Sequence, residues 1–173
     1  MRPFLCIAVV LLASSSSPAA GQQSAPMAAA FRANEVEASK KLVAAAQLMP
    51  ADKYDYKPTP AQMTFATIVR HLANESDLFC SVVGGTKAPD RSGQAPADPK
   101  EALVTRLTQS FQFCDTALAT LDDSKLGETF SMFGMTVSRA DLETKAISDW
   151  ADHYSQLAIY LRLNGLLPPT AKQ

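Results

Sequence analysis

The sequence predicts an all-α protein, a four-helix bundle behind an N-terminal signal peptide. Apolar residues recur at three- and four-residue steps in four separate stretches, the spacing that gives a helix one buried face. Most Gly and Pro residues cluster between those stretches, where they do not interrupt helical hydrogen bonding. No strand-rich region or internal repeat stands beside the helical pattern. A chain of 173 residues can bury a real core, and its length suits a single domain, here 22–173.

Residues 1–21 read as the signal peptide. Arg2 supplies a positive start, residues 4–13 are apolar, and Ala19 and Gly21 fall at the −3 and −1 positions of a cleavage site. The apolar run is about half the ~20 residues that a bilayer span requires, so no membrane anchor is expected. Cys6 lies inside that run, too early for lipid attachment at the cleavage site. The mature chain is expected to start near Gln22 in the periplasm or outside the cell. With 16 Lys and Arg against 17 Asp and Glu, no positive field favours nucleic acid.

The first helix is expected over 26–49, where Phe31, Ala38, Leu42 and Ala45 share a side and Pro50 stops the run. A connector with Pro58, Pro60, Tyr54 and Tyr56 leads to Thr64, a side-chain cap for a second helix that ends at Gly84-Gly85. Its core stripe is Phe65, Ile68, Leu72, Phe79 and Val82. Pro89, Gly93 and Pro96 mark the next loop, and Asp98-Pro99 reads as a cap followed by proline at the first helical position. The third helix then carries Leu103, Leu107, Phe111, Cys114, Leu118 and Leu121. Residues 126–137 read as a short hairpin or a loop over the bundle's end. Ser138 and Asp141 form a capping-box pair for the fourth helix, whose stripe is Ile147, Trp150, Tyr154, Leu157 and Leu161. Gly165 and Pro168-Pro169 end it.

Cys80 and Cys114 remain in the mature chain, as a disulfide or as two small buried apolar residues. Each lies sixteen residues past the expected cap of its helix, Thr64 or Asp98. Parallel helices with level starts would put both thiols ~24 Å along their axes, so that a bridge could close. The connector between the two helices could span ~45 Å at ~3.3 Å per extended residue, which permits that arrangement.

Beside the apolar stripe of the last helix runs a second row: Asp149, His153, Gln156 and Tyr160. Such a row is also the ordinary solvated flank of a surface helix. On the second helix His71 and Glu75 stand one turn apart. Two imidazoles and a carboxylate (His71, His153 and Asp149) on facing helices suit Zn, Ni, Fe or Mn with positions left open. Glu75, Gln156 and Tyr160 are candidates for orienting those ligands or a bound water. Lys145, one turn before Asp149, could instead pair with it at the surface.

Two segments, KPTPAQMTFATIVRHLANE and DWADHYSQLAIYLRLNGLLPP, resemble the DinB/YfiT-like superfamily of candidate metalloenzymes. The lengths between them also fit, so the resemblance covers essentially the whole mature chain. It implies an up-down-down-up helix order and a divalent metal on three histidines, one on the second helix and two on the last. His71 and His153 occupy two of those positions, and Asp149 stands where the third histidine is expected. The resemblance implies a metal-dependent transferase or hydrolase acting on a small molecule. The rival readings are a non-catalytic bundle that binds a metal or an apolar ligand, and a dimerising module.

Overall fold

The structure, a computed structural model, describes residues 25–92, 98–132 and 134–171. The signal-peptide reading lies outside them. Four helices form the fold: α1 (Pro26–Leu48), α2 (Phe65–Gly84), α3 (Lys100–Leu118) and α4 (Arg139–Leu163). A two-stranded antiparallel hairpin, β1 (Thr129–Met132) and β2 (Met135–Ser138), precedes α4, with Phe130 opposite Val137.

Each helix end has a local cause. Proline opens α1, and the carboxylate of Asp123, far along the chain, accepts from the amides of Met27 and Ala28 at 3.1 and 2.8 Å. A carboxylate there satisfies free donors and complements the helix dipole. Thr64 caps α2 by accepting from the Thr67 amide, and Gly85 closes the helix at φ 66°. The capping box of α4 is complete: Asp141 N–H donates to Ser138 Oγ, and Ser138 N–H donates to Asp141 Oδ2. The start of α3 differs from expectation. Pro99 itself is the cap, no side chain accepts there, and Asp98 stays outside the helix. Its last helical residue is Leu118, although Leu121 is still buried beyond it.

Contacts fix the helix directions. Moving along α2, Asn74 meets Arg106, Cys80 meets Cys114 and Gly84 meets Ala117, so α2 and α3 run parallel. The approach at Gly84 is close: a Cβ there would collide with the Ala117 carbonyl oxygen. Helices α1 and α4 are also parallel, with Phe31 against Trp150 and Lys41 over the Tyr154 ring. His71 beside His153, Ser76 beside Trp150 and Val82 beside Arg139 make α2 and α4 antiparallel. The order is therefore up-down-down-up. The long link from α2 to α3 is pinned by Arg91, which donates to both carboxylate oxygens of Asp77 at 2.9 and 3.2 Å.

The core runs along the bundle axis and includes Phe31, Leu42, Phe65, Ile68, Leu72, Leu107, Phe111, Trp150, Leu157 and Leu161. Two expected core positions shift. Val82 and Ile147 are only half-buried, and Val83 and Ala146 take the inner places. The cause is helix phase, since a stripe at 3.6 residues per turn leaves a choice of neighbour at its edge.

Cys80 and Cys114 form a disulfide with Cα atoms 5.1 Å apart. A chain starting at Gln22 and denatured without reductant should therefore show no free thiol, and two per chain would refute the bridge. In the chain-entropy model, closing 34 residues stabilises the fold by about 3–4 kcal/mol. Reduction should lower the unfolding midpoint accordingly.

Glu35 is buried on the core side of α1, where burial first, then the charge and hydrogen bond of Asp115, raise its pKa from 4.5 to about 8. The folded state thus holds a proton that the unfolded chain releases above about pH 4.5. The stability linked to it is complete below that pH and is lost as pH rises through about 8. Glu35→Gln, neutral at every pH, should gain on the native protein across this window in thermal melts. A margin that stays constant with pH would show that Glu35 does not titrate there.

Candidate metal centre

His71 projects from α2, and Asp149 and His153 project from α4 one turn apart. A ligand atom from each lies within 4.8 Å of those from the other two. Asp149 Oδ1 is 3.4 Å from His153 Nε2 and 3.9 Å from His71 Nε2, and the two imidazole rings are 4.7 Å apart between centroids. Exposure is graded across the group. The His153 side chain is 8% exposed, Asp149 22% and His71 38%, so the site is closed on the α4 side and open past His71.

Three features make this group suited to an ion. The Asp149 Oδ2 atom is buried without a hydrogen-bond partner, although an isolated buried carboxylate oxygen is costly. Lys145 makes no ion pair with Asp149 among the described residues, which removes the surface-pairing account. His153 is oriented from behind: its Nδ1 lies 3.1 Å from Gln156 Oε1, and Gln156 Nε2 donates to Asp152 Oδ2 at 2.9 Å. A carboxylate can only accept, so Asp152 turns the amide nitrogen toward itself and the amide oxygen toward His153. Nδ1 then carries the proton, and Nε2 faces Asp149 and His71.

Burial alone would lower the His153 pKa. The hydrogen bond and charge of Asp149, with help from Gln156 and Asp152, outweigh it and hold the imidazole above its usual 6.5.

The other expected residues divide. Gln156 reaches the group through His153. Glu75 is half-buried and makes no hydrogen bond or ion pair with it among the described residues. Tyr160 is buried, but its hydroxyl donates to the Met63 carbonyl at 3.0 Å and so fastens the connector before α2 instead. Asp152 was not apparent as a participant from sequence. Its signal was the four-residue step to Gln156, which put both on one helix face.

A cavity of about 430 Å³ adjoins the group, lined by Phe79, Thr144, Lys145, Ser148, Asp149 and Asp152. A larger one, about 520 Å³, lies between the first turns of α2 and α3 and contains none of the three residues.

The model of the DinB superfamily matches residues 36–157, a span that includes all three side chains. The chain belongs to the DinB superfamily. Solved structures share its fold, two of them DinB-like proteins. One is a DinB-like protein of Bacillus subtilis, 20% identical, covering 79% of this chain and 92% of that one with a TM-score of 0.65. The other is a DinB-like protein of Bacillus cereus, 13% identical, covering 82% and 95% with a TM-score of 0.69. No curated protein matches the chain. Within this DinB-superfamily fold, the His71–Asp149–His153 group sits on the seam between α2 and α4.

Gln156→Leu should leave the bundle folded and weaken divalent-metal affinity about 10- to 100-fold, because the imidazole loses the partner that fixes its orientation. Titration calorimetry with zinc measures this. Unchanged affinity would mean that His153 needs no such support.

Proposed function

We propose that this DinB-superfamily chain is an exported metal-dependent enzyme, a hydrolase or transferase, whose divalent ion is held by His71, Asp149 and His153. The observation that carries the reading is the convergence of two imidazoles with a carboxylate that has a buried oxygen left unpaired. The donor set of two nitrogens and one oxygen fits Zn, Ni, Fe or Mn. Such an ion, when bound, lowers the pKa of a water or thiol and so supplies a nucleophile at neutral pH.

The chain's own residues account for the rest. Asp149 offsets part of the ion's charge, His153 is held in one orientation by Gln156, and His71 stands at the mouth where a substrate arrives. Export, expected from the signal-peptide pattern, separates the protein from abundant reduced thiols and so favours hydrolysis over thiol transfer. Net charge near balance and the lack of a basic patch favour a small-molecule substrate over nucleic acid. No helix among the described residues is long and apolar enough to cross a membrane.

Protein purified without a histidine tag should carry close to one divalent ion per chain, and His71→Ala, with its helical signal intact, should lose it. Protons compete for the imidazoles, and the raised pKa of His153 extends that competition above pH 6.5. Affinity should therefore fall as pH drops from about 7.5 to about 5. Absence of metal after reconstitution at the higher pH would overturn the reading, and affinity independent of pH would remove the histidines as ligands.

A further inference from the structure

The His153 ring stands between two carboxylates that draw its proton to opposite nitrogens. Asp149 Oδ1 is 3.4 Å from Nε2. On the other side Nδ1 is 3.1 Å from Gln156 Oε1, and Gln156 Nε2 donates to Asp152 Oδ2 at 2.9 Å. The Asp149 distance lies beyond the ordinary N–H···O range of about 2.7–3.2 Å, and both Gln156 distances lie within it. The proton therefore belongs on Nδ1. A carboxamide can present either its oxygen or its nitrogen to a ring, and its remaining partner decides which. Here that partner is Asp152, an exposed residue outside the group of three.

We propose that Asp152 is a positioning residue: acting through Gln156, it fixes the His153 tautomer whose Nε2 lone pair is open to an ion. This rests on the metal-centre reading. Without an acceptor at position 152, the Gln156 amide turns and donates to Nδ1. The ring proton then sits on Nε2, where the Asp149 carboxylate accepts it. In that tautomer the lone pair an ion needs is occupied, and binding must first displace the proton. Asp149 thus has two opposed effects, as a ligand for the ion and as a rival acceptor at the same nitrogen. Asp152 resolves them in favour of the ion. The three relay residues span little more than one turn of α4, so the device is built within a single helix.

The test reads the tautomer directly in metal-free protein. The chain has two histidines, so His71→Ala leaves one imidazole and assigns the signals of His153. Long-range proton–nitrogen correlation on isotope-labelled histidine, at a pH where the ring is neutral, should place the native proton on Nδ1. Asp152→Ala should shift it to Nε2, and Asp152→Glu, which keeps an acceptor one turn from Gln156, should leave it on Nδ1. Zinc affinity, measured by calorimetry at moderate salt, should fall about 10- to 100-fold in Asp152→Ala and recover in Asp152→Glu. In a Gln156→Leu background, Asp152→Ala should cost no more than about two- to fivefold, the scale of one screened surface charge. A native proton on Nε2, a tautomer unmoved by Asp152→Ala, or an equal loss of affinity in both backgrounds would overturn the proposal. Tautomers that respond as expected in a protein that binds no zinc are a separate result: they reject the metal centre, and with it any role of Asp152 toward an ion.

Discussion

The fold depends on the indole of Trp150. It is buried on α4, lies against Phe31 of α1 with ring centroids 5.8 Å apart, and meets Phe111 of α3 at 5.9 Å. Its Nε1–H donates to Ser76 Oγ of α2 at 3.0 Å. One side chain thus touches every other helix, and its polar atom accepts only one relative position. Sliding α4 by a turn would strand the indole N–H in the core, at a cost of about 1–3 kcal/mol. The same slide would carry Asp149 and His153 ~5.4 Å away from His71. The register that satisfies the core is therefore the register that brings His71, Asp149 and His153 together, and Asp149 is the residue next to Trp150 in the chain.

A covalent restraint acts on the opposite side of α2. Ser76 stands between Trp150 and the Cys80–Cys114 bridge, with Cys114 Sγ 3.4 Å from its carbonyl oxygen. Helix α2 is held against α4 by a hydrogen bond and against α3 by a disulfide. Parallel neighbours need a long return link, and such links are entropically costly to order. The bridge removes part of that cost from the unfolded side, and the Asp77–Arg91 pair holds the link near its middle. A disulfide used in this way persists in an oxidising compartment.

Much of this was legible in the sequence because helix periodicity and punctuation are local signals. The cap at Thr64, the capping box at Ser138 and the glycine stop at Gly85 each depend on a few neighbouring residues. Other features depend on distant partners. Asp123 serves the start of α1 from 95 residues away, which no local pattern can reveal. The second row of α4 could have been solvent-facing. It became partly buried because α2 packs on it, as His153 and Tyr160 show. Tyr160 was misplaced as a supporter of the site for a related reason: spacing put it on the correct face, but its reach was taken up by Met63. The cavity at Lys145 needed two helices in register before it existed at all.

Under the proposed metal-binding reading, a carboxylate at Asp149, where the family resemblance implies a histidine, changes more than one ligand. Three neutral imidazoles leave the full double charge of an ion to be balanced by solvent or substrate. A carboxylate among them cancels one unit and shifts preference toward harder, more oxygen-seeking metals. It also needs to be shielded when no ion is present, since a buried carboxylate without a partner is expensive. The structure meets that need through His153, whose proton affinity rises beside Asp149, and through the Gln156–Asp152 pair, which fixes the ring to face it. The residues that shield Asp149 are thus those that aim His153.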